Sequence, residues 1–358
     1  MENLPLELNT NILARLPIKT LGQLKCVSKP FKTLITSPHF TKTHLNQITQ
    51  LKQLLLLLSN STLQTLNINT HHHAPRHQNL FKLPSNLVNN PIQIVGSCRG
   101  LVCLYHLPNT YSLMNPTTRE FRVLPDPGMF PVDARIRLSG FGYVAVCDDY
   151  MVVSIGTDNT GLGEQVVRVY SARQDSWKTL SSKVPFRVLP WVKPVCVNGV
   201  VHWLGFGGKF PPVNKIIGFD FVKEEFKVLS LGKGMNERGI KGLGEFGGCV
   251  CVLSTERDVD SFLEMWIMME YGLKESWIRT LSFGGAYRND GITDVFPICY
   301  VEDKVLLMTK RESIVLYDPV RRISKNLGVN LRERAGTLDV ATYEESLVSP
   351  YGFICQGM

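Results

Sequence analysis

The chain is 358 residues long, 44% hydrophobic and 20% charged, with a formal net charge of +8, which accommodates one large core and a small accessory unit. Its longest aliphatic run, Leu54 to Leu58, is too short to cross a bilayer as a helix, and the N-terminus has no signal-peptide pattern, so no membrane is expected. Nine cysteines without C-x2-C pairing suit a reducing compartment, the cytosol or nucleus, and call for no disulfide, no zinc and no other metal or cofactor.

The stretch from Leu4 to Phe40 reads as helical. Pro5 suits a first helical turn and Pro17 stops that helix, while Leu8, Ile12 and Leu16 recur at i, i+4 and i+8 with Leu13 broadening the stripe. Thr20 is placed to cap a second helix carrying Leu21, Leu24 and Val27. Ser28 is placed to cap a third carrying Phe31, Leu34 and Ile35, and Pro38 interrupts before Phe40. Three helices this short cannot bury so many large apolar side chains among themselves, so their outward faces need a partner. A plain amphipathic cap packed on the main domain is the alternative. Residues 1–90 hold nine Lys and Arg against Glu2 and Glu7, and no acidic residue follows until Glu120. Such a head could attract nucleic acid, a membrane surface or an acidic protein, and charge alone does not choose among them.

Four segments of this head, Leu4-Pro5-Leu6-Glu7, Ile12-Leu13-Ala14-Arg15-Leu16-Pro17, Lys25-Cys26-Val27-Ser28-Lys29 and Phe31 with Leu34-Ile35, occur in an order that resembles the F-box. Phe31 stands where that family often has Trp, beside Pro30, a proline expected to loosen the third helix. The resemblance implies docking on the Skp adaptor of a cullin-based ubiquitin ligase through Leu4, Pro5, Ile12, Leu13, Leu16, Pro17, Leu24, Val27, Phe31, Leu34 and Ile35.

The body repeats. Asn115 to Pro125, Tyr170 to Leu180, Phe219 to Leu229, Glu270 to Leu281 and Tyr317 to Leu327 each join a β-rich run to a polar turn and a second run. Those second runs are led by Phe121, Trp177, Phe226, Trp277 and Ile323, at intervals of 56, 49, 51 and 46 residues. A further strand pair precedes each, as in Val195 to Leu204 with its Asn198-Gly199 turn. Four strands at a period near fifty predict a β-propeller-like domain of about six blades, kelch-like in its repeat. One blade is assembled from both chain ends, with Gln53 to Ile68 as a hairpin and Leu338 to Pro350 closing it, so that no edge is left free. The predicted organisation is therefore a mainly β protein with a small all-α head: a three-helix unit over residues 1–47, a connector with closing strands over 48–91, and the propeller-like body over 92–356.

Gly96 to Tyr105, Asn115 to Pro125, Val197 to Leu204, Ile216 to Leu229 and the terminal Tyr343 to Pro350 together are similar to the F-box-associated domain that follows many plant F-boxes. That likeness implies a non-catalytic substrate receptor holding an unidentified target protein. If strands alternate up and down, the turns within each hairpin share one end of the ring and the longer connections share the other, where recognition is usually placed. Candidate contacts on those loops are Phe130, Arg135, Arg137, Phe186, Arg187, Trp191, Phe206, Phe210, Arg238, Tyr287 and Arg288, since aromatics and arginines dominate interface energetics. Alternatives kept open are a nucleic-acid- or glycan-binding propeller, with nucleic acid the less favoured partner, and an F-box scaffold without a ligase role.

Other motifs reduce to structure. Gly242-x-Gly244-x-x-Gly247 precedes a strand and not the helix a pyrophosphate site needs. His71 to His73 with His77 lack the ligands of a closed metal site. Cys249 and Cys251 alternate on one strand face, His202 has no nucleophile spaced to use it, and adjacent acidic pairs such as Asp148-Asp149 point opposite ways in extended chain.

Overall fold

The computed structural model describes residues 5–47, 53–59, 62–67, 77–84, 87, 91–128, 138–157, 165–181, 184, 187–188, 193–207, 213–255, 263–283, 295–301, 304–309, 313–327 and 339–352. The head is four helices and not three: α1 (Leu6–Leu13), α2 (Ile18–Leu24), α3 (Lys29–Thr36) and α4 (Pro38–Gln47). Pro38, expected to interrupt, instead opens α4, because its fixed φ and missing N–H suit a first turn. Thr20 lies inside α2, whose N-cap position is Pro17. Ser28 caps α3, its Oγ accepting from Phe31 N at 3.3 Å, and Pro30 falls in that helix's first turn, where it removes no hydrogen bond and loosens nothing. The head also has more of a core than three helices could make. Leu13, Ala14, Leu21 and Ile35 pack with Phe40 of α4 and with Leu347 from the far end of the chain.

The strands run β1 (Gln53–Ser59), β2 (Thr62–Asn67) and β3 (His77–Lys82), then β4 (Ile92–Cys98), β5 (Leu101–His106), β6 (Thr110–Asn115) and β7 (Glu120–Val123). A third group holds β8 (Leu138–Val144), β9 (Asp149–Thr157), β10 (Gln165–Ser171) and β11 (Ser176–Leu180). The fourth holds β12 (Arg187–Val188), β13 (Val195–Val197), β14 (Val200–Gly207), β15 (Val213–Asp220) and β16 (Glu225–Leu229). The fifth holds β17 (Ile240–Phe246), β18 (Cys249–Thr255), β19 (Leu263–Met268) and β20 (Trp277–Phe283). The sixth holds β21 (Val295–Val301), β22 (Lys304–Thr309), β23 (Ile314–Asp318) and β24 (Ile323–Asn326), and β25 (Asp339–Glu344) follows.

Among the described residues these make six antiparallel sheets, five of four strands and one of five. The fifth strand arises because the inner strand of the fourth sheet comes in two pieces, β12 and β13, both paired with β14. β25 pairs with β1, Leu56 opposite Ala341, so one sheet takes its innermost strand from the end of the chain and its other three from just after the head. The inner strands β4, β8, β13, β17, β21 and β25 neighbour one another around a closed ring. They enclose a channel lined by residues such as Ile94, Val197, Leu243, Pro297 and Val340.

Turn chemistry explains the repeat. Asn198 and Gly199 both have positive φ (53° and 71°), the pair that lets a two-residue turn follow the strands' twist. Between the third and fourth strands of four sheets, a polar residue closes the turn and the residue four positions on takes positive φ: Asn115 with Arg119, Ser171 with Asp175, Asp220 with Glu224, Asp318 with Arg322. Asp220 Oδ1 accepts from Val222 N at 3.0 Å and Lys223 N at 3.1 Å, and Asp318 Oδ1 does the same for Val320 N and Arg321 N. The β19–β20 connection departs from this short pattern, running over residues 269–276 with a 3-10 turn at Lys274–Ser276.

Strand alternation puts the turns after each inner strand and those between third and fourth strands at one end of the ring. The head sits at that end, against Arg99 of the β4–β5 turn, Asp148 of the β8–β9 turn and Arg173 of the β10–β11 turn. The described strands that bound the connections named as recognition loops end at the opposite side of the ring.

Candidate functional site

The head has two faces with different jobs. Toward the ring, α4 places Leu45 in the ring's own apolar cluster with Val95, Leu101, Tyr150 and Val348. Around that contact, Lys42 Nζ lies 2.9 Å from Asp148 Oδ2 and Arg99 Nη2 donates to Asn46 Oδ1 at 2.5 Å. His44 turns inward, its Nε2 3.0 Å from Leu16 O, which ties α4 to the end of α1; burial pushes this imidazole below its ordinary pKa.

Outside that contact the head exposes large apolar side chains. Val27 keeps 69% of its surface, Leu6 68%, Leu8 49% and Ile12 43%, an unusual density of large apolar side chains for so small a unit. Of the residues expected to dock an adaptor, Pro5, Ile12, Pro17 and Val27 are exposed, and Leu16, Leu24, Phe31 and Leu34 are half-buried against the head's core. Leu13 and Ile35 are corrections: at 2% and 0% exposure they hold the head together and offer no surface to a partner. Leu4 lies outside the described residues. Leu6 and Leu8 are exposed too and were not among the expected contacts: Leu8 stands four residues before Ile12 and so shares its face, whereas Leu6, two residues from Leu8, lies on another side of α1. Beside them an open groove between α1, α3 and α4 is lined by Leu6, Thr10, Pro30 and Leu34. Six basic residues, Arg15, Lys19, Lys25, Lys29, Lys32 and Lys42, ride on the described head against Glu7 alone. The described head therefore carries both exposed apolar side chains and a positive balance, with Lys42 turned to the ring.

The ring's expected contacts fare differently. Phe130, Arg135, Arg137, Phe186, Trp191, Phe210, Tyr287 and Arg288 lie outside the described residues. Arg187, read as a loop residue, lies in β12, because β14 runs on past β13 and its bare edge is met there; Arg187 stands opposite Phe206. Phe206 is likewise a strand residue of β14, half-buried and opposite Asn214, so the loop between β14 and β15 is shorter than expected. Arg238 is exposed on the connection from β16 to β17, whose backbone carbonyls at 238 and 240 accept from Asn214 Nδ2 at 3.4 and 3.1 Å.

Of the motifs set aside from the sequence, His71 to His73 lie outside the described residues, and His202, the cysteine pair and the glycine run are structural. His202 is fully buried between Val195 O (3.2 Å) and the Tyr271 hydroxyl (2.8 Å), with its pKa pushed down to about 4 by burial. Cys249 and Cys251 pack in one cluster with Leu263 and Val305. Gly242 and Gly244 lie in β17, followed by a tight turn at Gly247 and Gly248 and by β18.

Residues 49–334 of the chain match the family described as the F-box associated beta propeller domain, and residues 1–43 match the F-box domain. The chain belongs to the F-box proteins. Its F-box is N-terminal and the F-box associated propeller domain follows it, beginning before the 92 expected from the sequence and taking in the strands β1 to β3. It is similar to F-box protein CPR1 of Arabidopsis thaliana, at 25% identity over 89% of this chain and 82% of that protein. It is also similar to the F-box/kelch-repeat protein At3g23880 of the same plant, at 28% identity over 97% of this chain and 96% of that one.

Proposed function

We propose that this F-box protein is a non-catalytic substrate receptor of an SCF-type ubiquitin ligase, acting in the cytosol or nucleus. The F-box docks a Skp-type adaptor, and through it a cullin, while the ring's far-end loops hold a target protein. The observation that carries the reading is the division of the head: part of it is spent on the ring through α4, and elsewhere Leu6, Leu8, Ile12 and Val27 are left uncovered. We read the six sheets as six blades of one propeller, supported by the ring order of their inner strands. Such a bridge needs no chemistry of its own; it raises the effective concentration of the target's lysines near a charged ubiquitin-conjugating enzyme.

Ile12→Glu and Val27→Glu test it. Both sites are exposed, so the free protein should keep its melting temperature. Burying an unpaired carboxylate under the adaptor should weaken co-purification about 100-fold or more. Normal adaptor capture by both variants would overturn the docking face. Leu16→Glu is a poorer probe, because Leu16 also packs against the head's core.

A further inference from the structure

Three of the segments singled out in the sequence, Gly96–Tyr105, Asn115–Pro125 and Tyr343–Pro350, converge at one place on the head side of the ring. After β25 the chain does not leave the molecule. Residues 345–352 cross the second sheet as a strap, and the strap is two-sided: Leu347 enters the core of the F-box with Leu13, Leu21, Ile35 and Phe40, and Val348 enters the ring cluster that also receives Leu45 of α4. Successive residues of an extended chain face opposite ways, so one dipeptide engages both units at once.

Asn115 fastens it. This side chain is fully buried. Its Oδ1 closes the β6–β7 turn by accepting from Thr117 N at 2.8 Å and Thr118 N at 3.2 Å, as Asp220 and Asp318 do in their own sheets. Its Nδ2 does what those carboxylates cannot: it donates to Val348 O at 2.7 Å and to Ser346 O and Oγ at 3.0 and 3.1 Å. An amide therefore stands where the fourth and sixth sheets have aspartate, and the strap is the reason. Gly100 makes room, since a β-carbon there would overlap Ser346 Oγ and Cβ. Arg122 Nη1 donates to Pro350 O at 3.0 Å and the Tyr351 hydroxyl to Phe121 O at 2.8 Å, anchoring the far end.

We propose that the strap, clamped by Asn115, sets the angle between the F-box and the propeller. Leu347, Asn115 and Gly100 are then positioning residues for ubiquitin transfer, which depends on where the ring holds its target relative to the docked adaptor; that consequence rests on the receptor reading, whereas the clamp itself does not.

The test is a distance distribution in the full chain between nitroxide labels on Cys26 of the head and on Val222→Cys at the β15–β16 turn, both exposed, with Cys147→Ser and Cys355→Ser in the background. The parent should give one narrow peak. Asn115→Asp keeps the turn-closing oxygen but turns the second oxygen against the carbonyls of Ser346 and Val348; it should broaden the peak while the ring's melt stays cooperative and the adaptor still co-purifies. Leu347→Ser should broaden it likewise. An unchanged narrow peak in Asn115→Asp overturns the proposal. So does loss of the ring's cooperative melt in that variant, because the strap would then be holding the ring itself together and not setting an angle. Failure of the parent itself to capture adaptor would sink the receptor reading and leave the distance measurement standing.

Discussion

His44, His106 and His202 are buried, and burial lowers the pKa of each, to about 4 for His106 and His202. A folded-state value below the unfolded value near 6.5 means that folding favours the neutral ring. The stability this represents is whole above about pH 6.5 and is lost as pH falls toward 4. Urea unfolding at pH 7 and pH 5 should differ by on the order of 2 kcal/mol for each of the two deepest histidines, and His202→Gln should remove its share of that difference. A single His beside Trp203 in a strand was legible as core from the sequence, because no nucleophile is spaced to use it. Its partner, Tyr271 from the β19–β20 connection, was not, because nothing local joins residues so far apart in the chain.

The leaders of the sequence repeat, four aromatics and Ile323, all fall in the outermost strands β7, β11, β16, β20 and β24. Two of them also act between sheets. Trp177 Nε1 donates to Pro125 O at 2.8 Å and Trp277 Nε1 to Ser230 O at 2.9 Å, each stapling its own sheet to the chain leaving the preceding one. The indole supplies apolar area and a donor at its tip, which phenylalanine lacks. Trp277→Phe should therefore lower the ring's unfolding free energy by about 1–2 kcal/mol, seen as an earlier urea midpoint, through the carbonyl left unpaired. The spacing of the leaders could be read along the chain; the carbonyl each indole meets belongs to another repeat and could not. Helix ends show the same limit. Ser28 was identifiable as a cap because its partner is three residues away, whereas Pro38 can break one helix or begin the next, and the packing of Phe40 into the head's core selects the second.

The whole molecule is held by its ends. β25 supplies the innermost strand of the closing sheet, so deleting residues 339–358 should leave the β1 edge bare and the ring open; we expect elution as an aggregate and no cooperative melt. The distribution of charge acts at this scale as well. With six basic residues against one acidic on the described head, association with an acidic adaptor should slow by roughly tenfold between 0.05 and 0.5 M salt while dissociation changes little, measurable by stopped-flow or surface binding kinetics.

Sequence alone determined the class of this protein, an F-box ahead of a ring of short-stranded sheets closed by both termini. Hydrophobic periodicity, turn residues and repeat length are local properties, and they are written wherever neighbours in the chain are neighbours in space. Tertiary structure decided what each apolar side chain is for. Leu13 and Ile12 are adjacent in one stripe, yet the first is core and the second surface, because α4 and Leu347 arrive from elsewhere to cover only one side of α1. Burial depends on which remote segments come to rest on a face, a sum over contacts that no window of sequence contains.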